Sequence, residues 1–293
     1  MNIGFIGLGN MGVAIAARLV HAEYALRLWN RSPEKLRELA SAGAQVVATP
    51  REAFKGDVVF SMLADDAAVR AVFLDSGVLE NAAGDTVRVH VNMATVSVAV
   101  ADELAARHAE RGIAYVAAPV LGRPDAAAAG KLHIIAAGPS AAIDEVEPLL
   151  TLLGQKTWRF GERAARANVV KLAMNFMLAA AIESMGEAAA LATGYDIGAG
   201  EFLELASQTV FPGPIYSGYG RLIAGSVYEP AGFTARLGLK DVRLALAAAE
   251  AVTTPMPVAS QIRDSMLEAL TRGEGEMEFG TVLGRAAMRR AGR

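Results

Sequence analysis

Lys171 and Asn175 stand four residues apart in a run that is otherwise apolar: Val169, Val170, Leu172, Ala173, Met174 and Phe176. That spacing puts both on one helix face. A lysine in such company snorkels, pairs or does chemistry. As chemistry it is an amine that gives and takes a proton, with a carboxamide beside it to orient a partner. Near the other end, Leu237-Gly238-Leu239-Lys240-Asp241-Val242 holds a second such lysine, Lys240, which Asp241 can neutralise. At the start of the chain, Gly7, Gly9 and Gly12 follow a short apolar run in a G-x-G-x-x-G spacing. This reads as a strand, a tight turn and the first turn of a helix. Gly7 permits the turn, Gly9 lets a pyrophosphate approach the backbone, and Gly12 lets the helix pack close. Leu8, Asn10 and Met11 complete the loop, and free N–H groups at the helix start attract phosphate. The alternative is a purely structural glycine turn.

Around the glycines the chain supplies further cofactor contacts. The second strand ends in Asn30-Arg31-Ser32, with no carboxylate to bind a ribose 2′-hydroxyl. A guanidinium there can pair with a 2′-phosphate instead, so NADP(H) is the expected cofactor, with NAD(H) as the alternative. The fourth strand ends in Met62-Leu63-Ala64-Asp65, expected over the nicotinamide-side ribose. Thr95 follows the fifth strand. Leu121, Gly122 and Arg123 follow the sixth, where a substrate meets the cofactor.

These groups need a scaffold of alternating strands and helices. Strands are expected at residues 3–6, 25–29, 44–47, 57–63, 87–92, 113–116, 132–137 and 157–160. Helices are expected between them: one from Pro33 to Ala40 closed by Gly43, one opened by Thr49-Pro50-Arg51-Glu52, and others capped by Asp65, Ser97 and Ser140. The pattern is that of a doubly wound, mostly parallel α/β sheet over residues 1–161. Residues 162–293 are expected to be all helical, opened by one long helix over residues 163–193 that Gly194 stops. Breaks fall at Phe211-Pro212-Gly213-Pro214, Glu229-Pro230-Ala231-Gly232 and Thr254-Pro255-Met256-Pro257. Phe211, Tyr216, Tyr219 and Phe233 gather at these breaks. They either wall a substrate pocket, with Phe233 as its substrate contact, or pack helices together.

Composition narrows the partners. Of 293 residues, 53% are hydrophobic and 20% charged, with a net charge of −3 and no basic block, which argues against a nucleic-acid surface. There is no cysteine, so disulfides, thiolate nucleophiles and Cys-based zinc sites are excluded, and a cytoplasmic setting is expected. His21, His90, His108 and His133 show no metal-ligand spacing. The N-terminus lacks the basic and apolar regions of a signal peptide. The apolar stretch 172–193 carries Glu183 and Glu187, so it is expected to be a buried core helix and not a membrane span.

Five segments in order give the chain a likeness to a known family. Gly7-Leu8-Gly9-Asn10-Met11-Gly12, Thr95, Ala118-Pro119-Val120-Leu121-Gly122, Lys171-Leu172-Ala173-Met174-Asn175 and Lys240-Asp241 resemble the motifs of the β-hydroxyacid dehydrogenases. The resemblance runs over nearly the whole chain. It implies a Rossmann domain joined by a long helix to an all-helical domain that makes a dimer contact. It implies hydride transfer between a small β-hydroxyacid and its aldehyde or ketone, with Lys171 as general acid/base and Lys240 beside the nicotinamide. Apolar surroundings and Lys240 are expected to lower the Lys171 pKa toward neutrality. The likeness also implies a homodimer or dimer of dimers. Departures fall on the substrate side: Leu121 and Arg123 replace a serine–glycine pattern, Met174 replaces the first of two asparagines, Ala165 and Ala167 replace glycines, and Val98 replaces a proline. Two other readings stay open. One is an imine reductase or reductive aminase of the same architecture, which commonly lacks the lysine. The other is a non-catalytic NADPH-binding protein.

Overall fold

The computed structural model describes residues 1–82 and 86–292. The chain divides into two compact units, Met1–Lys171 and Leu172–Arg293.

The first unit opens with β1 (Asn2–Ile6), α1 (Asn10–His21) and β2 (Ala25–Trp29). A 3-10 turn at Pro33–Leu36 leads into α2 (Arg37–Ser41), where a single longer helix was expected. Next come β3 (Gln45–Val46), α3 (Pro50–Ala53), β4 (Val58–Ser61), α4 (Asp66–Phe73), β5 (Val89–Asn92), α5 (Val98–Ala109) and β6 (Ala114–Ala117). The six strands form one parallel sheet in the order β3-β2-β1-β4-β5-β6. The order reverses between β1 and β4, which opens a crevice at the strand C-termini beside the glycine turn. Strand residues alternate between two cores: Phe5, Phe60 and Val91 face one side with Ile15 and Leu19 of α1, and Ile6 and Val59 face the other with Leu104 of α5. Asp65 and Ser97 cap their helices as expected, accepting the N–H groups of Ala68 and Val100, and Thr49 at the opening of α3 accepts the Glu52 N–H.

The remaining strands of this unit depart from the expected single sheet. β7 (Val120–Leu121), α6 (Pro124–Ala128), β8 (Leu132–Ala136), α7 (Ser140–Leu153) and β9 (Gly154–Arg159) follow. β7 pairs antiparallel with β8, and β8 pairs parallel with β9, in a separate three-stranded sheet. Pro119 has no N–H to extend β6, so the chain turns out of the first sheet there. Among the described residues the two sheets meet at one isolated antiparallel bridge, Ala117 to Ala137. Ser140 does not cap α7. It is the first helical residue, and its hydroxyl and N–H both bind the Glu162 carboxylate.

Inside this unit His90 and His108 are fully buried against Phe54, Phe73 and Tyr115. Burial holds His108 down at about 4, and burial together with His108 holds His90 well below the usual imidazole range. The folded chain therefore binds fewer protons here than the unfolded chain. Stability is complete above about pH 6.5 and is lost as the pH falls toward about 4. At pH 5 the expected loss is about 2 kcal/mol for His108, and His90 adds to it in the same direction. Urea midpoints at pH 7.5 and 5 measure it. His108→Leu should flatten the dependence in that window; an equal pH dependence in the variant would contradict it.

α8 (Ala165–Thr193) is continuous and begins in the first unit. It is the one helix among the described residues long and apolar enough to cross a membrane by length and composition. The core helix expected here is buried on part of its surface: Ile182, Met185 and Ala189 lie in the helical core, 33% of its most apolar window is buried, and Met177 and Leu191 are exposed. Its second half is nonetheless tied into the helical unit. Glu183 is buried and accepts from Ser265, whose hydroxyl takes a hydrogen bond from Arg290. Burial raises the Glu183 pKa. The helical unit continues through α9 (Ala199–Gln208), α10 (Pro214–Ala224), α11 (Ala235–Glu250), α12 (Pro257–Thr271), α13 (Phe279–Gly284) and α14 (Ala286–Arg290), broken where the Pro-Gly segments fall.

Candidate active site

In the first unit the glycine turn has the shape its spacing requires. Gly7 has φ +95°, and a Cβ there would lie 2.5 Å from the Met62 carbonyl oxygen. A Cβ on Gly12 would lie 2.1 Å from the Gly7 oxygen, so α1 starts against the strand end. A Cβ on Gly9 would meet nothing within 4 Å. Gly9 caps α1 with no side-chain hydrogen bond, so the first N–H groups of the helix face outward beside open space. The loop thus fits a dinucleotide pyrophosphate, the chemistry its glycines suggested.

The end of β2 supports this loop. Asn30 accepts the Leu8 N–H at 2.9 Å and donates to the Ser32 oxygen at 2.8 Å. Its carboxamide is committed within the protein, so it shapes the turn. Arg31 and Ser32 are exposed, and Arg31 makes no hydrogen bond or ion pair among the described residues. Lys35, not singled out in the sequence, donates to the Asn10 side chain at 3.0 Å and lines a surface hollow with Val13, Glu34 and Glu38. A lysine one helical turn beyond Arg31 was the available signal. Met11 is half-buried at the start of α1. Met62 extends the β4–β1 pairing through its N–H to the Ile6 oxygen, and Leu63 and Ala64 follow at the strand end. Thr95 is half-buried in the turn after β5.

Leu121 lies on β7, paired with His133, so this loop is partly strand. Gly122 has φ +142°, with a Cβ position 2.7 Å from the Leu132 side chain, and Arg123 is the half-buried residue that precedes α6. Ala164 and the first turns of α8, through Ala165, Ala167 and Val170, pack into the same core as Ala94 and Val96. The alanines that replace glycines there are packing residues. Asn168, 1% exposed, donates to the Val96 oxygen at 3.4 Å, while its Oδ1 has no partner. Lys171 is three residues on and half-buried, so it shares the helix face that Asn168 ties to the Thr95 turn.

In the second unit, Asn175 donates to Asp241 Oδ2 at 2.6 Å, and Lys240 pairs with Asp241 at 3.1 Å. Asp241 is 5% exposed; it accepts from Asn175 and is ion-paired with Lys240, so the Asn175 carboxamide is held with its oxygen turned away from the carboxylate. Asp241 was read only as a neutralising neighbour; its grip on Asn175, 66 residues away, lies beyond local pattern. The same ion pair offsets the positive charge of Lys240. Among the aromatics, Tyr219 is buried in the helical core and Phe233 packs edge-on against Phe279, their centroids 5.7 Å apart. Phe211 stacks on Tyr216 and is half exposed. No group of three or more potential metal ligands occurs among the described residues.

Comparisons with known proteins bear on the family and the fold. Residues 2–161 match the family model described as the NAD binding domain of 6-phosphogluconate dehydrogenase. Residues 165–285 match the one described as the NAD-binding of NADP-dependent 3-hydroxyisobutyrate dehydrogenase. The chain is 42% identical to an uncharacterized oxidoreductase of Bacillus subtilis, covering 97% of this chain and 99% of that one. It is 30% identical to glyoxylate/succinic semialdehyde reductase 1 of Arabidopsis thaliana, covering 97% of both. Among solved structures, the 3-hydroxyisobutyrate dehydrogenase of Mycobacterium tuberculosis with L-serine superposes with a TM-score of 0.84 at 26% identity, over 96% of this chain and 97% of that one.

Proposed function

Because this chain belongs to the β-hydroxyacid dehydrogenase family, and is thereby an NAD(P)-dependent oxidoreductase acting on CH–OH groups, we propose that it interconverts a small β-hydroxyacid and its aldehyde or ketone with NADP(H). The observation that carries this reading is Lys171 and Asn175 on one face of α8, with Asn175 fixed by Asp241. When bound, the nicotinamide supplies or accepts the hydride. The residues that would hold the dinucleotide are Gly7, Leu8, Gly9, Asn10, Met11 and Gly12 at the pyrophosphate, Arg31 and Ser32 at the 2′-phosphate, and Met62, Leu63, Ala64, Thr95 and Lys240 toward the nicotinamide.

Lys171 donates a proton to the substrate oxygen in reduction and takes it back in oxidation. Asn175 hydrogen-bonds the substrate beside it. Thr95 and the backbone N–H groups of Leu121 and Gly122 hold a carboxylate, Arg123 adds positive charge, and Phe233 contributes an apolar wall. The chain works as a homodimer or dimer of dimers in the cytoplasm, with a small molecule as its substrate and neither nucleic acid nor membrane as a partner.

Absence of a carboxylate at the end of β2 and the exposed Arg31 favour NADP(H). Arg31→Ala is expected to weaken NADPH binding by about 10- to 100-fold, the worth of a charge-assisted hydrogen bond, and to leave NADH binding unchanged. Fluorescence titration with both cofactors measures it. Turnover is tested with NADPH and NADH against glyoxylate, succinic semialdehyde, other small aldehyde acids and a cyclic imine. The reading expects reduction of an aldehyde acid, faster with NADPH. Reduction of the imine alone would assign the chain the other chemistry.

A further inference from the structure

A chain of polar side chains crosses the interior of the first unit, and none of the motifs calls for it. Ser61, His90 and His108 are fully buried, Asn92 is 1% exposed and Tyr115 is 3% exposed. Such groups cost free energy to bury unless they are paired. His108 Nδ1 lies 2.7 Å from the Leu104 oxygen, which only accepts, so that nitrogen carries a proton. His108 Nε2 lies 2.8 Å from His90 Nδ1, and His90 Nε2 lies 2.8 Å from Ser61 Oγ. Burial keeps both rings neutral, with one proton each. His90 therefore donates to His108, and the single Ser61 proton is drawn to His90. With that proton directed to His90, Ser61 Oγ at 3.3 Å from Asn92 Oδ1 packs against the carboxamide and leaves that oxygen to the Ala94 N–H.

Asn92 is where the chain reaches the site. It is the last residue of β5, paired with Ser61 on β4 and Ala117 on β6. Its Oδ1 accepts the Ala94 N–H at 3.0 Å, and its Nδ2 donates to Tyr115 Oη at 2.9 Å. One carboxamide thus touches three adjacent strands and closes the turn that carries Thr95. The ends of β4 and β5 are followed by Met62, Leu63, Ala64 and Thr95. An amide with one partner on each side has one orientation, and the turn inherits it.

We propose that Asn92 is a positioning residue for the reaction: held by Tyr115 on the adjacent strand, its carboxamide clamps the Ala94 N–H and so fixes Thr95 against the substrate. This rests on the assignment of Thr95 to substrate under the proposed function. Asn92 need not touch a reactant itself.

Asn92→Leu keeps the size and removes the clamp. The amide of Ala94 should exchange with solvent about tenfold faster, as loss of one buried hydrogen bond implies, while amides of β1 and α1 keep their rates. With a carbonyl acid, kcat should fall by about 10- to 100-fold, with NADPH binding nearly unchanged. Asn92→Asp retains an oxygen for Ala94 and lets Tyr115 donate, so it should restore both readouts in large part. If Asn92→Leu does not fold, Tyr115→Phe removes only the partner of Nδ2 and should shift both readouts in the same direction by less. Unchanged exchange at Ala94, or faster exchange with unchanged kcat, would overturn the proposal. A wild-type chain that reduces no carbonyl acid, yet whose variants show the exchange response, would fault the functional reading and not the clamp.

Discussion

Lys171→Ala should lower kcat by about 10³-fold, the contribution of a positioned general acid/base, while NADPH binding stays close to wild type. The second half of that expectation follows from where the residue sits. Lys171 is on α8, whereas the glycine turn and the end of β2 are built from the first 32 residues. Its loss also leaves the helix intact, because alanine is the best helix former and Asn168 still holds α8 to the Val96 oxygen. A uniform loss of binding would raise KM and spare kcat; a lost proton donor lowers kcat. Single-turnover and steady-state rates separate the two. A variant that kept most of its kcat would remove Lys171 from the chemistry.

Gly9→Ala should abolish measurable NADPH binding in a protein that folds as wild type does. The added Cβ meets no protein atom within 4 Å, so the fold has no reason to change. Only a ligand that occupies that space would feel it. Gly12→Ala is the counterpart. Its Cβ falls 2.1 Å from the Gly7 oxygen, a backbone atom that cannot move without reshaping the turn. That variant should lose binding and thermal stability together. Calorimetric titration with NADPH, read beside the melting temperature, distinguishes the two cases. If Gly9→Ala bound NADPH normally, the turn would not be the pyrophosphate cradle.

What the sequence revealed were features decided within a few residues. The glycine spacing, the helix starts at Thr49, Asp65 and Ser97, and the Pro-Gly breaks of the helical unit each depend on neighbours along the chain. Partners far away decided the rest. Ser140 has the right type for a cap, but its hydroxyl goes to Glu162, 22 residues on. Strands β8 and β9 read as members of the main sheet because periodicity carries no information about pairing direction; the turn at Pro119 settled that. Lys171 and Asn175 were legible as a pair because helix geometry is local. The Asp241 grip on Asn175 and the hydrogen bond from Asn92 to Tyr115 were not, since each joins side chains from different elements. α8 reads as a core helix by composition, yet much of its apolar surface is exposed. Hydrophobicity alone does not say which face a helix buries.

Label transfer tests the central claim most directly. The enzyme is incubated with NADPH deuterated at C4 of the nicotinamide and the aldehyde acid it reduces fastest, and the product is examined by NMR and mass spectrometry. The account predicts a hydroxyacid carrying one deuterium on the carbon that bears the hydroxyl, formed one-for-one with NADPH consumed and lost in Lys171→Ala. NADPH that binds at the glycine turn while no aldehyde acid gains deuterium would contradict it.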